Sequence, residues 1–141
     1  MFAEAYDRAR LMKVAIYTAR VTPAEFEAAI EGAWQMTRDS NEHLGLVPRV
    51  MSIVEGDVRP SIDVQRRLSE PQTAMIRCDL AFVASSLVGR SALKSWLPPE
   101  SPDRRVRVFA TYEAARAWLV ARGVRASYLN DLYVQARRSL A

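Results

Sequence analysis

Stretches of strand length alternate with amphipathic helical stretches along almost the whole chain. The segments 11–18, 50–54, 75–84 and 105–110 are rich in apolar and β-branched residues, which is typical of strands. A segment with helical periodicity follows each of them. This βαβαβαβα order predicts an α/β fold with a four- or five-stranded, mostly parallel sheet, because a short helical crossover returns the next strand in the same direction.

Local start and stop signals support two of these helices in particular. Thr22-Pro23-Ala24-Glu25 is a capping box with proline at the first helical position, and it predicts a helix that runs to about Asp39. Thr111 is suited to cap the helix that follows the strand 105–110, and Gly123 is suited to end that helix. Two further helices are predicted between them. The first is predicted from Pro60, which fits a first helical turn, and the second from an apolar face in the segment that Pro98-Pro99 ends.

The last strand and the C-terminal tail have distinct patterns. In 105–110, arginine and apolar residues alternate, which indicates a strand with one less buried face, at an edge of the sheet. In 126–141, apolar residues recur at steps of three and four, which predicts a further amphipathic helix. We expect one domain over residues 1–125, with this helix either docked on it or pairing with another copy of the chain.

Composition excludes several classes of protein. The chain has 141 residues, of which 50% are hydrophobic and 26% charged, as in a single globular domain. Its apolar runs are too short to cross a bilayer, so we expect no transmembrane segment and a cytoplasmic location. Residues 104–141 carry eight arginines against two acidic residues. Without an accompanying nucleic-acid-binding motif, we interpret these arginines as a solvated face and expect no nucleic-acid partner.

Residues that commonly carry catalysis or bind metals are sparse. His43 is the only histidine, and Cys78 is the only cysteine, so neither a metal site nor a histidine-based triad is expected. Glu55 and Asp57 form a carboxylate pair that could act as acid and base, but such residues more often end a strand and cap a helix. The sequence therefore predicts a protein that is not an enzyme and that uses no cofactor.

Four segments together resemble a known family: the early strand with its capped helix, "SIVEGD", "LAFVASS" and "VRVFATYEAARAWL". Over roughly residues 11–123 the chain resembles the STAS-like (SpoIIAA-like) bacterial domains, which are related to anti-sigma-factor antagonists and, by fold, to lipid-binding SEC14-type domains. The closing motif of that group is matched by Phe109, Glu113, Ala114 or Ala115, Trp118 and Leu119. The resemblance implies a regulatory domain rather than a catalytic one.

The chain departs from this family at the regulatory serine. Antagonists of this family carry a phosphorylatable serine directly after an aspartate, at the start of the helix that follows a central strand. Here Asp57 is followed by Val58, and the nearest hydroxyl is that of Ser61. Ser61 is therefore either a phosphorylation site or a simple helix cap.

Two functional hypotheses follow. The first is a regulatory or protein-binding module whose partner, so far unidentified, contacts the surface formed by Glu55, Asp57, Arg59, Ser61, Arg66 and Arg67. The second is a carrier or sensor of a lipid or other apolar small molecule, with a pocket between sheet and helices lined by Trp34, Met36, Met75 and Trp96. The alternative for these four side chains is ordinary core packing. A carrier should contain an apolar pocket of a few hundred Å³, whereas a module should have a filled core.

Overall fold

The computed structural model describes residues 1–140 and consists of one five-stranded sheet with helices on both faces. The strands are β1 (Phe2–Asp7), β2 (Met12–Tyr17), β3 (Arg49–Val54), β4 (Cys78–Ala84) and β5 (Arg104–Phe109). The helices are α1 (Pro23–Glu42), α2 (Ile62–Ala74), α3 (Leu87–Leu93), α4 (Tyr112–Ala121) and α5 (Ala126–Ser139).

The strands lie in the sheet in their sequence order, β1-β2-β3-β4-β5. β2 to β5 are parallel, and only β1 is antiparallel to its neighbour β2. The predicted α/β fold with a mostly parallel sheet and a C-terminal helix is therefore confirmed, and β5 is an edge strand, as its alternating pattern predicted.

The helices divide between the two faces of the sheet. The side chains of α1, α2 and α3 pack into one core, in which Leu80 and Phe82 of β4 are buried. The side chains of α4 and α5 pack into a second core with Ala81 and Val83 of the same strand. β4 therefore faces protein on both sides, which explains why its sequence is a continuous apolar run.

The C-terminal helix is docked on the sheet of its own chain. Leu129, Leu132 and Ala136 of α5 are buried in the second core, together with Val14 and Ile16 of β2. On the far side of the helix Val134 remains exposed. The apolar stripe of the tail is thus covered within the chain by β1 and β2.

Four details differ from the sequence-based prediction. Pro60 was expected in the first turn of the second helix, but α2 begins at Ile62 after its N-cap Ser61, so Pro60 precedes the helix. The strand β1 was not predicted, because its six residues include two alanines and two acidic residues, types that are depleted in strands. β4 begins at Cys78 rather than Met75, because Met75 is the C-cap residue of α2. α3 ends at Leu93, so that Trp96 lies in the turn that follows the helix.

The exposed edge of β5 is protected by the loop that precedes it. The amide and carbonyl groups of Arg104 pair with Ser101, and the amide of Val106 donates to the carboxylate of Glu100 at 2.9 Å. These contacts satisfy backbone groups that would otherwise be free to pair with another strand. The edge is therefore poorly suited to bind a partner by strand addition.

We predict that the packing of α5 is a major source of stability. Leu132→Ala should lower the free energy of unfolding by about 2 to 5 kcal/mol, because it removes a buried side chain from the second core. Val134→Ala is the matched control on the exposed face of the same helix and should change it by less than about 1 kcal/mol. Urea denaturation followed by circular dichroism measures both; equal effects would show that α5 is not docked in solution.

We also predict that stability falls at alkaline pH because of Cys78. Burial raises the pKa of its thiol from 9.0 to about 11. Between these pH values the unfolded chain releases a proton that the folded chain keeps, so stability is lost as pH rises, by about 1 to 3 kcal/mol. Urea denaturation at a series of pH values should show this loss in the wild type. Cys78→Ala should show a smaller loss, since Tyr17, whose pKa burial also raises, remains in both proteins. Identical slopes would contradict the prediction.

Candidate functional site

A cleft opens at the edge of the sheet where the parallel strands end. It lies between the loop after β3, residues 55–61, and helix α3, and its volume is about 250 Å³. In parallel α/β sheets, ligands commonly bind at this carboxyl edge, where the loops after the strands come together. We therefore examine this cleft as the candidate site.

The loop after β3 forms one wall of the cleft. Gly56 has a positive φ of 75°, and a Cβ there would lie 3.0 Å from that of Ala19, so a residue with a side chain would be strained. After this turn, Val58 and Pro60 point into the protein and are buried, whereas Asp57 and Arg59 between them are exposed. The loop is thus anchored by two apolar side chains and presents two charged ones at the mouth of the cleft.

Helix α3 and the turn after it form the opposite wall. Ser86 caps the helix by accepting a hydrogen bond from the amide of Gly89 at 2.9 Å. Val88, Ala92 and Leu93 line the cleft from this side, and Trp96 lines its base. The ring of Trp96 packs edge-on against that of Tyr17, with the centroids 6.0 Å apart. The base of the cleft is therefore apolar and well packed.

Three exposed apolar side chains lie in or next to the segments that form the cleft, and one of them, Val88, lines it. Ile62, Leu87 and Val88 are 84%, 72% and 67% exposed, the highest values for large hydrophobic side chains in residues 1–140. All three lie in the first turns of the neighbouring helices α2 and α3. We call the cleft and these three side chains the carboxyl-edge surface. Exposed apolar side chains gathered around a concavity are typical of interaction sites.

Two of the predicted site residues, Asp57 and Arg59, lie at this surface. The Nε of Arg59 donates to the carboxylate of Asp57 at 2.6 Å. Both side chains are largely exposed, so the pair contributes little to stability. The pair occupies the Nε of Arg59 and leaves its two terminal nitrogens without a hydrogen bond within residues 1–140.

The other predicted charged residues point elsewhere. Glu55 lies on the opposite face of the sheet, where Arg137 of α5 binds its two oxygens at 2.5 and 3.0 Å. Arg67 binds Glu27 of α1 in the same two-point manner. Arg66 is shared by two acidic residues of its own helix. The predicted residues therefore do not form one continuous patch, because the loop after β3 turns successive side chains to different sides.

Ser61 is the N-cap residue of α2. Its side chain is exposed and accepts a hydrogen bond from the amide of Val64 at 3.3 Å. A cap of this kind satisfies one of the amides left free at a helix start. Its hydroxyl is also accessible at the carboxyl edge of the sheet.

The four residues predicted to line an apolar pocket do not surround a common cavity. Trp34 lies half-buried in a shallow groove of the outer surface with Glu27 and Arg38. Met36 and Met75 are buried beside a space of about 20 Å³. A second space, of about 30 Å³, lies beside Trp96. Spaces of this size accommodate a water molecule and not a lipid.

The sequence analysis missed the contribution of helix α3 to the cleft. Ser86, Val88 and Ala92 are about 30 residues away along the chain from the loop after β3, and only the parallel pairing of β3 with β4 brings the two segments together. The available signal was the pair Leu87-Val88 directly after "ASS", since two large apolar residues at a helix start are unusual.

Two general features of the described chain bear on function. Within residues 1–140, no group of three or more His, Cys, Asp or Glu side chains could hold a metal ion. None of the helices of this part is long and apolar enough to cross a membrane.

Comparison with known proteins gives no match: no protein-family model, curated protein or solved structure is significantly similar to this chain.

We predict that the Ser61 side chain stabilises α2 as a cap. Ser61→Ala should lower the free energy of unfolding by about 0.5 to 2 kcal/mol, whereas Ser61→Asp should retain the stability, because aspartate caps a helix equally well. Ser69→Ala, at an exposed hydroxyl further along the same helix, serves as the control. Urea denaturation of the four proteins provides the comparison; an alanine variant as stable as the wild type would rule out the capping role.

Proposed function

We propose that this protein is a non-enzymatic, STAS-like regulatory module that binds a protein partner at its carboxyl-edge surface. The observation that carries the proposal is the high exposure of Ile62, Leu87 and Val88, of which Val88 lines the open cleft and the other two lie next to its lining segments along the chain. Exposed apolar side chains beside a concavity are a mark of surfaces that a partner covers. A partner that buries all three gains a favourable transfer free energy for each.

The architecture supports the STAS-like assignment. The strands from β2 to β5 follow one another in order, and each pair is joined by a helical crossover on the same face. β3 is the central strand, and Ser61 caps the helix that follows it. In anti-sigma-factor antagonists the phosphorylatable serine lies at the start of the corresponding helix, although here no aspartate directly precedes it.

The dense packing beneath the surface favours a module over a carrier. A lipid carrier needs an internal apolar volume of several hundred Å³. The spaces between the sheet and the helices α1 and α2 are about 30 and 20 Å³. Met36, Met75 and Trp96 fill this region as core side chains.

We predict that the purified protein carries no lipid. Native mass spectrometry of freshly prepared protein should give the mass of the chain alone or of its oligomer, unchanged by extraction with organic solvent, because the core is filled. A mass excess that disappears on extraction would favour the carrier function instead.

We further predict that the partner contacts the carboxyl-edge surface. The photoreactive residue p-benzoylphenylalanine, placed at Ile62 or Val88 in cells that naturally make the protein, should cross-link to a second protein. Val134, an exposed apolar side chain on α5, is the matched control position and should give no such product. Equal cross-linking from all three positions, or none from Ile62 and Val88, would contradict the proposal.

A further inference from the structure

From the geometry of Arg59 and the adjoining cleft, we infer that the partner binds through a short acidic segment. One carboxylate of this segment is held by the two terminal nitrogens of Arg59, and a neighbouring large apolar side chain fills the cleft. The inference rests on the proposed function and specifies the chemistry of the partner that the carboxyl-edge surface recognises.

Arg59 is held ready to bind a carboxylate. Its Nε is bonded to Asp57, and its two Nη atoms make no hydrogen bond within residues 1–140. A guanidinium offers these two atoms as a planar fork that matches the two oxygens of a carboxylate. Because Asp57 occupies only the Nε, both Nη atoms can bind the two oxygens of a second carboxylate.

Three arginines of the helices α2 and α5 differ from Arg59 in this respect. Arg66, Arg67 and Arg137 each use both Nη atoms on carboxylates of the same chain. Those groups are occupied by structural ion pairs. Among the arginines of the loop after β3 and of helix α2, Arg59 is therefore the one whose two Nη atoms bind no carboxylate within residues 1–140.

The charges around the cleft favour an acidic partner. Asp57 and Asp63 are each paired with an arginine. Arg20 and Arg90 lie in the loop after β2 and in α3, at the same edge of the sheet, and neither forms an ion pair within the described residues. The charges of Arg20 and Arg90 are thus not balanced by a carboxylate within residues 1–140, although Arg90 donates to the carbonyls of Ala84 and Ser85. These two charges complement a negatively charged segment.

The cleft suits one large apolar side chain rather than a whole small ligand. Its volume of about 250 Å³ is below the range of sites that enclose small molecules, and its walls are apolar. A small fatty acid in the cleft would also leave Ile62 and Leu87 in water. A protein segment covers the cleft and these side chains together, which buries more apolar area.

An anionic membrane is a poorer match for the same surface. Asp57 and Asp63 are exposed beside the apolar side chains, with side-chain exposures of 69% and 65%. Anionic headgroups would be repelled by these carboxylates, whereas a peptide can direct its single carboxylate to Arg59 and avoid them.

The test is a selection of random peptides displayed on phage against the immobilised full chain. We expect enriched peptides to share a large apolar residue and an Asp or Glu a few positions away. The affinity of the best peptide, measured by fluorescence anisotropy, should fall at least about tenfold for Arg59→Gln and for Ala92→Trp, which fills the cleft. Arg59→Lys should also weaken binding, because lysine lacks the fork. Arg105→Gln removes an exposed arginine of β5 and should have no effect.

A second measurement isolates the proposed contact. With a peptide whose acidic residue is replaced by its amide, Arg59→Gln should cause no further loss, because the contact is already absent. Each variant is first checked for an unchanged melting temperature, so that unfolding does not mimic lost binding.

Three results would overturn the inference. They are enrichment of peptides without acidic residues, binding insensitive to Arg59→Gln, or absence of any enrichment. A fourth result, binding to phosphatidylglycerol vesicles that requires Leu87, would overturn it in favour of a membrane. If Ile62 and Val88 cross-link to a protein in cells while the peptide result is negative, the proposed function stands and only the acidic-segment chemistry is wrong.

Discussion

The need to cover both faces of a parallel sheet governs the rest of this structure. Because crossovers between parallel strands are right-handed, strands laid down in sequence order place all their connecting helices on one face. Here α1, α2 and α3 lie on that face, and the other would be bare without further chain. Helices α4 and α5 cover it, so the C-terminal helix is part of the layered core and is not an appendage.

The same arrangement explains how the arginines are used. The chain has many arginines and few lysines, and several arginines bind backbone carbonyl groups at the ends of elements. Arg104 donates to the carbonyls of Gln72, Thr73 and Pro99. Arg49 and Arg122 converge on the buried Asp79, and Arg49 also binds the carbonyl of Arg122 at the end of α4. Some of the arginines of this basic chain thus attach helix ends to the sheet.

The sequence predicted the order of elements better than their boundaries or their spatial relations. The capping box at Thr22 was confirmed because its determinants lie within four residues. β1 was missed because its sequence, FAEAYD, is rich in alanine and acidic residues and so has weak strand propensity. The cleft was unpredictable for a different reason: its walls are a loop and a helix that only the pairing of β3 with β4 brings together. Likewise, nothing local indicates that Glu55 pairs with Arg137, 82 positions further along the chain.

The division between a filled core and an open edge has an energetic consequence. Ile62 and Val88 are β-branched residues in exposed first turns of helices, where they add little to packing and slightly disfavour the helix. Burial of these side chains under a second surface would stabilise the complex by about 25 cal/mol for each Å² of apolar area removed from water. The five most exposed large apolar side chains within residues 1–140 lie in two places: Leu44 and Ile76 line a second groove, and Ile62, Leu87 and Val88 lie beside the cleft that also carries Arg59. A surface of that kind gains specificity from the direction of Arg59 and affinity from the apolar side chains around it.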